Sequence, residues 1–160
     1  MRSTITRYAI AVTLLAAFTA STFAASLAEF DERFLPGTST NAYRLRVPDN
    51  YDPSKSYTVL TYLASSGQTS VESTVGHRNT TACVNWAKTE GNDAFVFVPF
   101  KISTQMKIDM IDHIATDYNI DLTRVYSTGW SLGGIHSFEA IGDRPDRFAA
   151  IAPMAGAILH

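Results

Sequence analysis

Near the end of the 160-residue chain, Thr128-Gly129-Trp130-Ser131-Leu132-Gly133-Gly134 sets a serine between two glycines in a Gly-x-Ser-x-Gly spacing. A serine hydroxyl can attack an acyl carbon if a turn lifts it clear of its neighbours. It also needs backbone donors aimed at the charge that develops. Glycines two residues to either side are what such a turn requires, because side chains there would collide as strand and helix close together. The five-residue pattern carries little weight alone, and its meaning depends on the elements around it. The same glycines could suggest a phosphate loop, but the lysine that such a loop uses is missing.

Those elements can be read from apolar periodicity. Residues 43–47 alternate as a half-exposed strand does, and the turn residues of 48–53 follow. Residues 57–64 and 94–99 are apolar or β-branched almost throughout, as strands covered on both faces are. Residues 124–128 and 148–153 read as further strands. Helices are predicted over 80–88, 106–118 and 132–141, with 65–70 a loop by composition. Strands alternating with helices imply βαβ units, hence an α/β fold with a mostly parallel sheet flanked by helices. Ser131 then falls between a strand ending at 128 and a helix starting at 132, at the carboxyl end of a parallel strand where open α/β sheets place their sites. On this reading Gly129 and Gly133 form a structural elbow, Ser131 is the nucleophile, and the Leu132 N–H is an oxyanion donor backed by the helix dipole.

Composition narrows the function. With 46% hydrophobic and 18% charged residues the chain is globular, and a net charge of −2 gives no electrostatic reason for nucleic acid or an anionic membrane as partner. No metal cluster or dinucleotide fingerprint is visible, so neither metal nor cofactor is expected. Residues 1–24 have the layout of a secretory signal peptide: Arg2 and Arg7 without acids, an apolar run over 9–20, and the small-x-small end Thr22-Phe23-Ala24. The run is shorter than the roughly 20 residues of a spanning helix. Cleavage is expected after Ala24 or Ala25, with Ala28 a later option. The product would be extracellular or periplasmic, with no membrane association after cleavage. The single cysteine, Cys83, lies in a segment of helical spacing; it reads as a small buried hydrophobe or as half of a pairing with sequence not present, and not as a nucleophile.

The run from Asn119 through Val125-Tyr126-Ser127 to Gly134 resembles the core of secreted α/β-hydrolase esterases, in particular the polyhydroxybutyrate depolymerases and the feruloyl or acetylxylan esterases. The segment from Pro145 to Gly156 is similar to the strand and loop that follow the nucleophile in that group, and Arg44 to Asp52 to its opening strand and turn. The resemblance spans residues 42–157 and is most specific over 119–156. It implies a serine carboxylic-ester hydrolase acting on a small or polymeric ester, with residues 25–160 as the N-terminal portion of its domain. A lipase or peptidase of the same fold is the related alternative.

The chain departs from that group in two places. Where the group has a His-Gly pair followed by a small residue and Gln or Glu, this sequence reads Ala64-Ser65-Ser66-Gly67-Gln68. Ser66 could still offer its N–H as second oxyanion donor, with Gln68 beside the substrate. Ser65, however, replaces a glycine expected to let the loop bend. The second departure is that the order nucleophile, acid, histidine finds no suitable partners after Ser131. Glu139, Asp143 and Asp146 lie on or just past the helix leaving the turn. His136 falls on the flank of that helix, and His160 is terminal. His77 and His113 precede the turn and are not expected to act as base. The expectation is a chain that lacks the C-terminal strands, with the acid and histidine encoded beyond His160 across about 80–150 further residues. The alternative is an inactive, esterase-derived binding or structural protein. Trp130 and the 65–78 loop either line an acyl or aromatic pocket or simply pack.

Overall fold

The computed structural model describes residues 25–38 and 42–157. The signal-peptide segment 1–24 and His160 lie outside them. Among the described residues there are six strands: β1 (Asp31–Phe34), β2 (Ala42–Arg46), β3 (Tyr57–Leu63), β4 (Phe95–Pro99), β5 (Ile120–Trp130) and β6 (Ala150–Met154). They form one sheet in the order β1-β2-β4-β3-β5-β6. The pairs β4/β3, β3/β5 and β5/β6 are parallel, whereas β1/β2 and β2/β4 are antiparallel. The helices are α1 (Val71–Val75), α2 (Arg78–Lys88), α3 (Thr104–Asp117) and α4 (Leu132–Asp143), with a short 3-10 turn at Leu27–Glu29.

The central strands show why continuous apolar runs were needed. In β4, Phe95 and Phe97 point to one face and Val96 and Val98 to the other, the two-residue period of a strand. The phenylalanines join Tyr57, Val59 and Val125 against Ile108, Ile111 and Ile114 of α3 and Ala140 of α4. The valines join Tyr62 against Val71 and Val75 of α1 and Cys83, Val84 and Ala87 of α2. Each fully buried side chain of this size stabilises the fold by about 1.5–3 kcal/mol. Helix starts are fixed locally. The Ser103 hydroxyl accepts from the Met106 N–H at 3.2 Å and caps α3, and Ser70 forms a capping box with Ser73 at α1.

Two elements were not expected. The strand β1 reads Asp-Glu-Arg-Phe and is mostly exposed. It is held by its antiparallel ladder to β2 and by Arg33, which donates to Asp117 and to the Tyr118 hydroxyl. Helix α1 has five residues and arises inside the segment read as a loop. The strand β5 begins at Ile120, earlier than expected, because Ile120 pairs with Tyr57 across a register shift. At the far side β6 pairs only with β5 among the described residues, and Ala150, Ala152 and Met154 are exposed on it.

Candidate active site

Ser131 alone separates β5 from α4, and the chain must reverse from extended to helical across one residue. Its backbone takes φ 55° and ψ −116°, a strained conformation for a side chain with a Cβ. Such a conformation costs on the order of 1–3 kcal/mol and persists only where neighbours hold it. They do so from both sides: the Ser131 N–H donates to the Met154 carbonyl at 2.9 Å, and the Ser131 carbonyl accepts from Gly134 at 2.9 Å and Ile135 at 3.1 Å. The Leu132 N–H, at the positive end of α4, has no partner among the described residues. The Ser131 side chain is partly exposed and makes no capping hydrogen bond.

Close backbone approach explains the flanking glycines. A Cβ on Gly133 would stand 2.1 Å from the Leu63 carbonyl oxygen, and one on Gly129 would stand 2.6 Å from the Gly133 carbonyl. The Ser131 turn is thus pressed against the end of β3, the strand that leads into the 64–68 loop.

That loop is a tight turn. Ala64 and Ser65 are buried, Ser66 and Gly67 are exposed at its tip, and the Gln68 N–H donates to the Ser65 carbonyl at 3.2 Å. Ser65 holds a φ outside the left-handed region. The bend therefore does not call for glycine there, contrary to the expectation from sequence. Gln68, expected beside the substrate, is instead buried, and its Oε1 accepts from the Ser65 N–H at 2.5 Å. It braces the loop from inside. Its Nε2 is buried with no hydrogen bond of good geometry, although the amide lies close enough to the Tyr62 phenol to oppose, with Asn79, the upward shift that burial gives that group. The Ser66 N–H carries no partner among the described residues.

The other titratable groups are engaged elsewhere. His136 Nδ1 meets Glu139 Oε2 at 2.7 Å along the flank of α4. Asp146 is clamped by the Arg144 guanidinium, whose hydrogen bonds hold its carboxyl below the usual range. His113 lies on α3. None of these residues, and no other described side chain, hydrogen-bonds the Ser131 hydroxyl. Cys83 is buried, and burial pushes its thiol up to about 12. Among the described residues no group of three or more His, Cys, Asp or Glu could hold a metal. An apolar cavity of about 310 Å³ lies between Trp86 and the β5/β6 face, with neither Ser131 nor Ser66 in its wall.

His77, which the sequence does not mark as a base, stands instead against Trp130. It caps α2, and its ring lies 6.1 Å from that of Trp130 at an interplanar angle of 20°. The two are 53 positions apart (130 − 77), and no local pattern links them.

Comparison with known proteins places this geometry. Residues 105–158 match the model of the prolyl oligopeptidase family. Over 53 residues the chain is 40% identical to a bifunctional acetylxylan esterase/xylanase of Neocallimastix patriciarum, a stretch that is 33% of this chain and 8% of that protein. A thermostable esterase superposes with a TM-score of 0.67 at 26% identity, over 78% of this chain and 40% of the esterase. A ferulic acid esterase from Anaeromyces mucronatus superposes with a TM-score of 0.61 at 16% identity, over 81% of this chain and 58% of that one. The chain therefore spans less than two thirds of each of these relatives. The fold is that of the α/β-hydrolases, as the sequence resemblance implied.

Proposed function

We propose, from a chain that belongs to the α/β-hydrolase superfamily and has esterases among its relatives, that it is the nucleophile-bearing part of a secreted serine carboxylic-ester hydrolase. The observation that carries this reading is the backbone of Ser131, strained at the end of a central parallel strand, with the Leu132 N–H beside it unpaired among the described residues. Ser131 Oγ attacks the ester carbonyl while its proton passes to a general base, and the oxyanion is held by the N–H groups of Leu132 and Ser66. Collapse breaks the C–O bond, the leaving alcohol takes the proton from the base, and water then releases the acid from the acyl-serine. The base and its orienting carboxylate come from outside residues 25–157. Esters of the acetylxylan or ferulate type, which the relatives' names carry, are the substrate class.

Secretion follows from the 1–24 segment, with cleavage after Ala24. That cut retains Ala25, whose side chain is buried and whose N–H donates to Thr81 Oγ1 at 2.7 Å. N-terminal sequencing of the exported protein should therefore begin at Ala25.

The test of the chemistry is a fluorophosphonate probe on the intact secreted polypeptide. One label per chain is expected, on Ser131, and it should be lost in Ser131→Ala. A folded protein that takes no label would favour the second reading, an esterase-derived binding protein. The match to the prolyl oligopeptidase model keeps a peptidase within reach of the same chemistry. Matched ester and amide substrates separate the two, and faster ester turnover is expected.

A further inference from the structure

Three rings stand in a column between the core and the nucleophile. Tyr62 on β3 is fully buried, His77 is half-buried, and Trp130 is 39% exposed. The rings of Tyr62 and His77 lie 6.5 Å apart at 19°, and those of His77 and Trp130 lie 6.1 Å apart at 20°. Sheet register brings the outer two to one side. Tyr62 pairs with Thr128, and Trp130, two positions further along β5, shares the face of Thr128. His77 enters from the turn between α1 and α2 and fills the space between them.

We propose that His77 is a positioning residue for Trp130: its ring clamps the indole beside Ser131 as a flat wall for the planar or apolar part of an ester. This rests on the hydrolase reading for the ester, and on geometry alone for the clamp.

The hydrogen bonds fix the imidazole in one state. The Asn79 backbone N–H, which can only donate, points at His77 Nδ1 at 3.3 Å, so that nitrogen carries no proton. The Tyr62 hydroxyl lies 3.3 Å from the same nitrogen and donates to it as well. The ring is therefore neutral, with its proton on Nε2. Burial, aided by the nearby Arg78, holds the His77 pKa below 6.5. On α1 the one carboxylate, Glu72, is bound to Arg44 and offers no counter-charge. Protonation at acid pH would set an Nδ1–H against the Asn79 N–H and undo both the cap and the clamp.

The experiment reads Trp130 alone. The sequence has two tryptophans, and Trp86 lines the separate apolar cavity, so W86F leaves one emitter near the site. An imidazolium quenches a stacked indole more strongly than a neutral imidazole does. In W86F the emission is expected to fall in a single step as pH drops, with a midpoint below 6.5, and the anisotropy of Trp130 should fall with it. In W86F/H77N the step should vanish and the anisotropy at pH 7 should already be low. Asn keeps the helix cap, so this variant should fold. W86F/H77F should restore the anisotropy without any pH step.

The same emission then reports binding of phenyl acetate and of ethyl butyrate. H77N is expected to weaken the phenyl ester by 3- to 10-fold and leave the alkyl ester unchanged, with recovery in H77F. A pH step that survives in H77N, an anisotropy that H77N does not lower, or equal weakening of both esters would each overturn the proposal. A clear His77-dependent step in a protein that binds neither ester would instead sink the hydrolase reading and leave the clamp in place.

Discussion

Gly133 and Leu63 are in backbone contact, so close that a Cβ on Gly133 would stand 2.1 Å from the Leu63 carbonyl oxygen. The contact joins the first turn of α4 to the end of β3, and so joins the serine-bearing turn to the loop that offers Ser66. A side chain at 133 cannot be absorbed by a rotamer change, because the atoms it meets belong to the backbone. Gly133→Ala should therefore force β3 and α4 apart and destabilise the protein by about 3 kcal/mol, the upper end for overpacking, with loss of fluorophosphonate labelling. Gly142, on the same helix, has open space where its Cβ would be. Gly142→Ala should raise stability by about 0.4–1 kcal/mol. Urea midpoints of the two variants check both signs, and a G133A protein as stable as the parent would refute the contact.

Gln68 gives a second prediction, because its Oε1 is the partner of the buried Ser65 N–H. Gln68→Ala leaves that donor unpaired, at a cost of about 1–3 kcal/mol, and frees the turn that presents Ser66. Gln68→Glu keeps the acceptor and should be milder at neutral pH. If Ser66 is an oxyanion donor, Q68A should slow hydrolysis by lowering kcat more than it raises KM. A lost donor of that kind is worth about 2.7–4 kcal/mol of transition-state stabilisation. A change confined to KM would return Gln68 to direct substrate contact.

The parts of this fold legible in the sequence are those where one physical demand sets residue type at every position. The strands β3 and β4 are buried on both faces, so their apolar runs are continuous. Helix α3 buries one face, so Ile108, Ile111 and Ile114 recur at helical spacing. The Ser131 turn needs two glycines at fixed offsets and shows them. The strand β1 lacked such a demand: an edge strand held by ladder bonds and Arg33 ion pairs has no apolar face to betray it. Helix α1, five residues long, is too short for periodicity to register. Ser65 misled because the family pattern has a glycine there that lets the loop bend, whereas the backbone φ at that position is ordinary for any residue. The stack of His77 on Trp130 depends on the register of β3 with β5, which no local window contains.

Acid sensitivity should trace in part to the start of β5. The Asp121 carboxylate accepts from the Thr123 hydroxyl and N–H and from Arg124 Nε, and these bonds bring its pKa from 3.8 down to about 2. A pKa depressed in the folded state means that folding prefers the ionised carboxylate. Its contribution is present above pH 3.8, the unfolded value, and is lost as pH falls from there toward 2. Arg124 also donates to the Ser56 carbonyl, so this end of β5 is tied to the residue just before β3. Asp121→Asn should lower the urea midpoint relative to the parent at pH 5 and converge with it at pH 2. A gap of equal size at both pH values would show that the charge is not responsible.

Cys83 provides a probe of core integrity with the opposite sign. Its thiol is raised from 9.0 to about 12 by burial among Tyr62, Val84 and the rest of that core. Folding therefore prefers the neutral thiol, and this contribution holds below pH 9 and fades as pH climbs from 9 toward 12. Only the thiolate attacks a disulfide reagent. At pH 8 the folded protein, four units below its pKa, presents about one thiolate in 10⁴, against about one in ten for an unfolded chain. Reaction with an aromatic disulfide should thus be about 10³-fold slower in the native protein than in urea, and slower still if access is blocked. Its rate should rise in step with any substitution that opens the α2 side of the sheet. Val84→Ala, which leaves a cavity beside the thiol, should cost about 1–3 kcal/mol and accelerate the reaction, while Gly142→Ala, on the other face, should leave it unchanged or slower. Fast labelling of the native parent at pH 8 would mean that Cys83 is not buried.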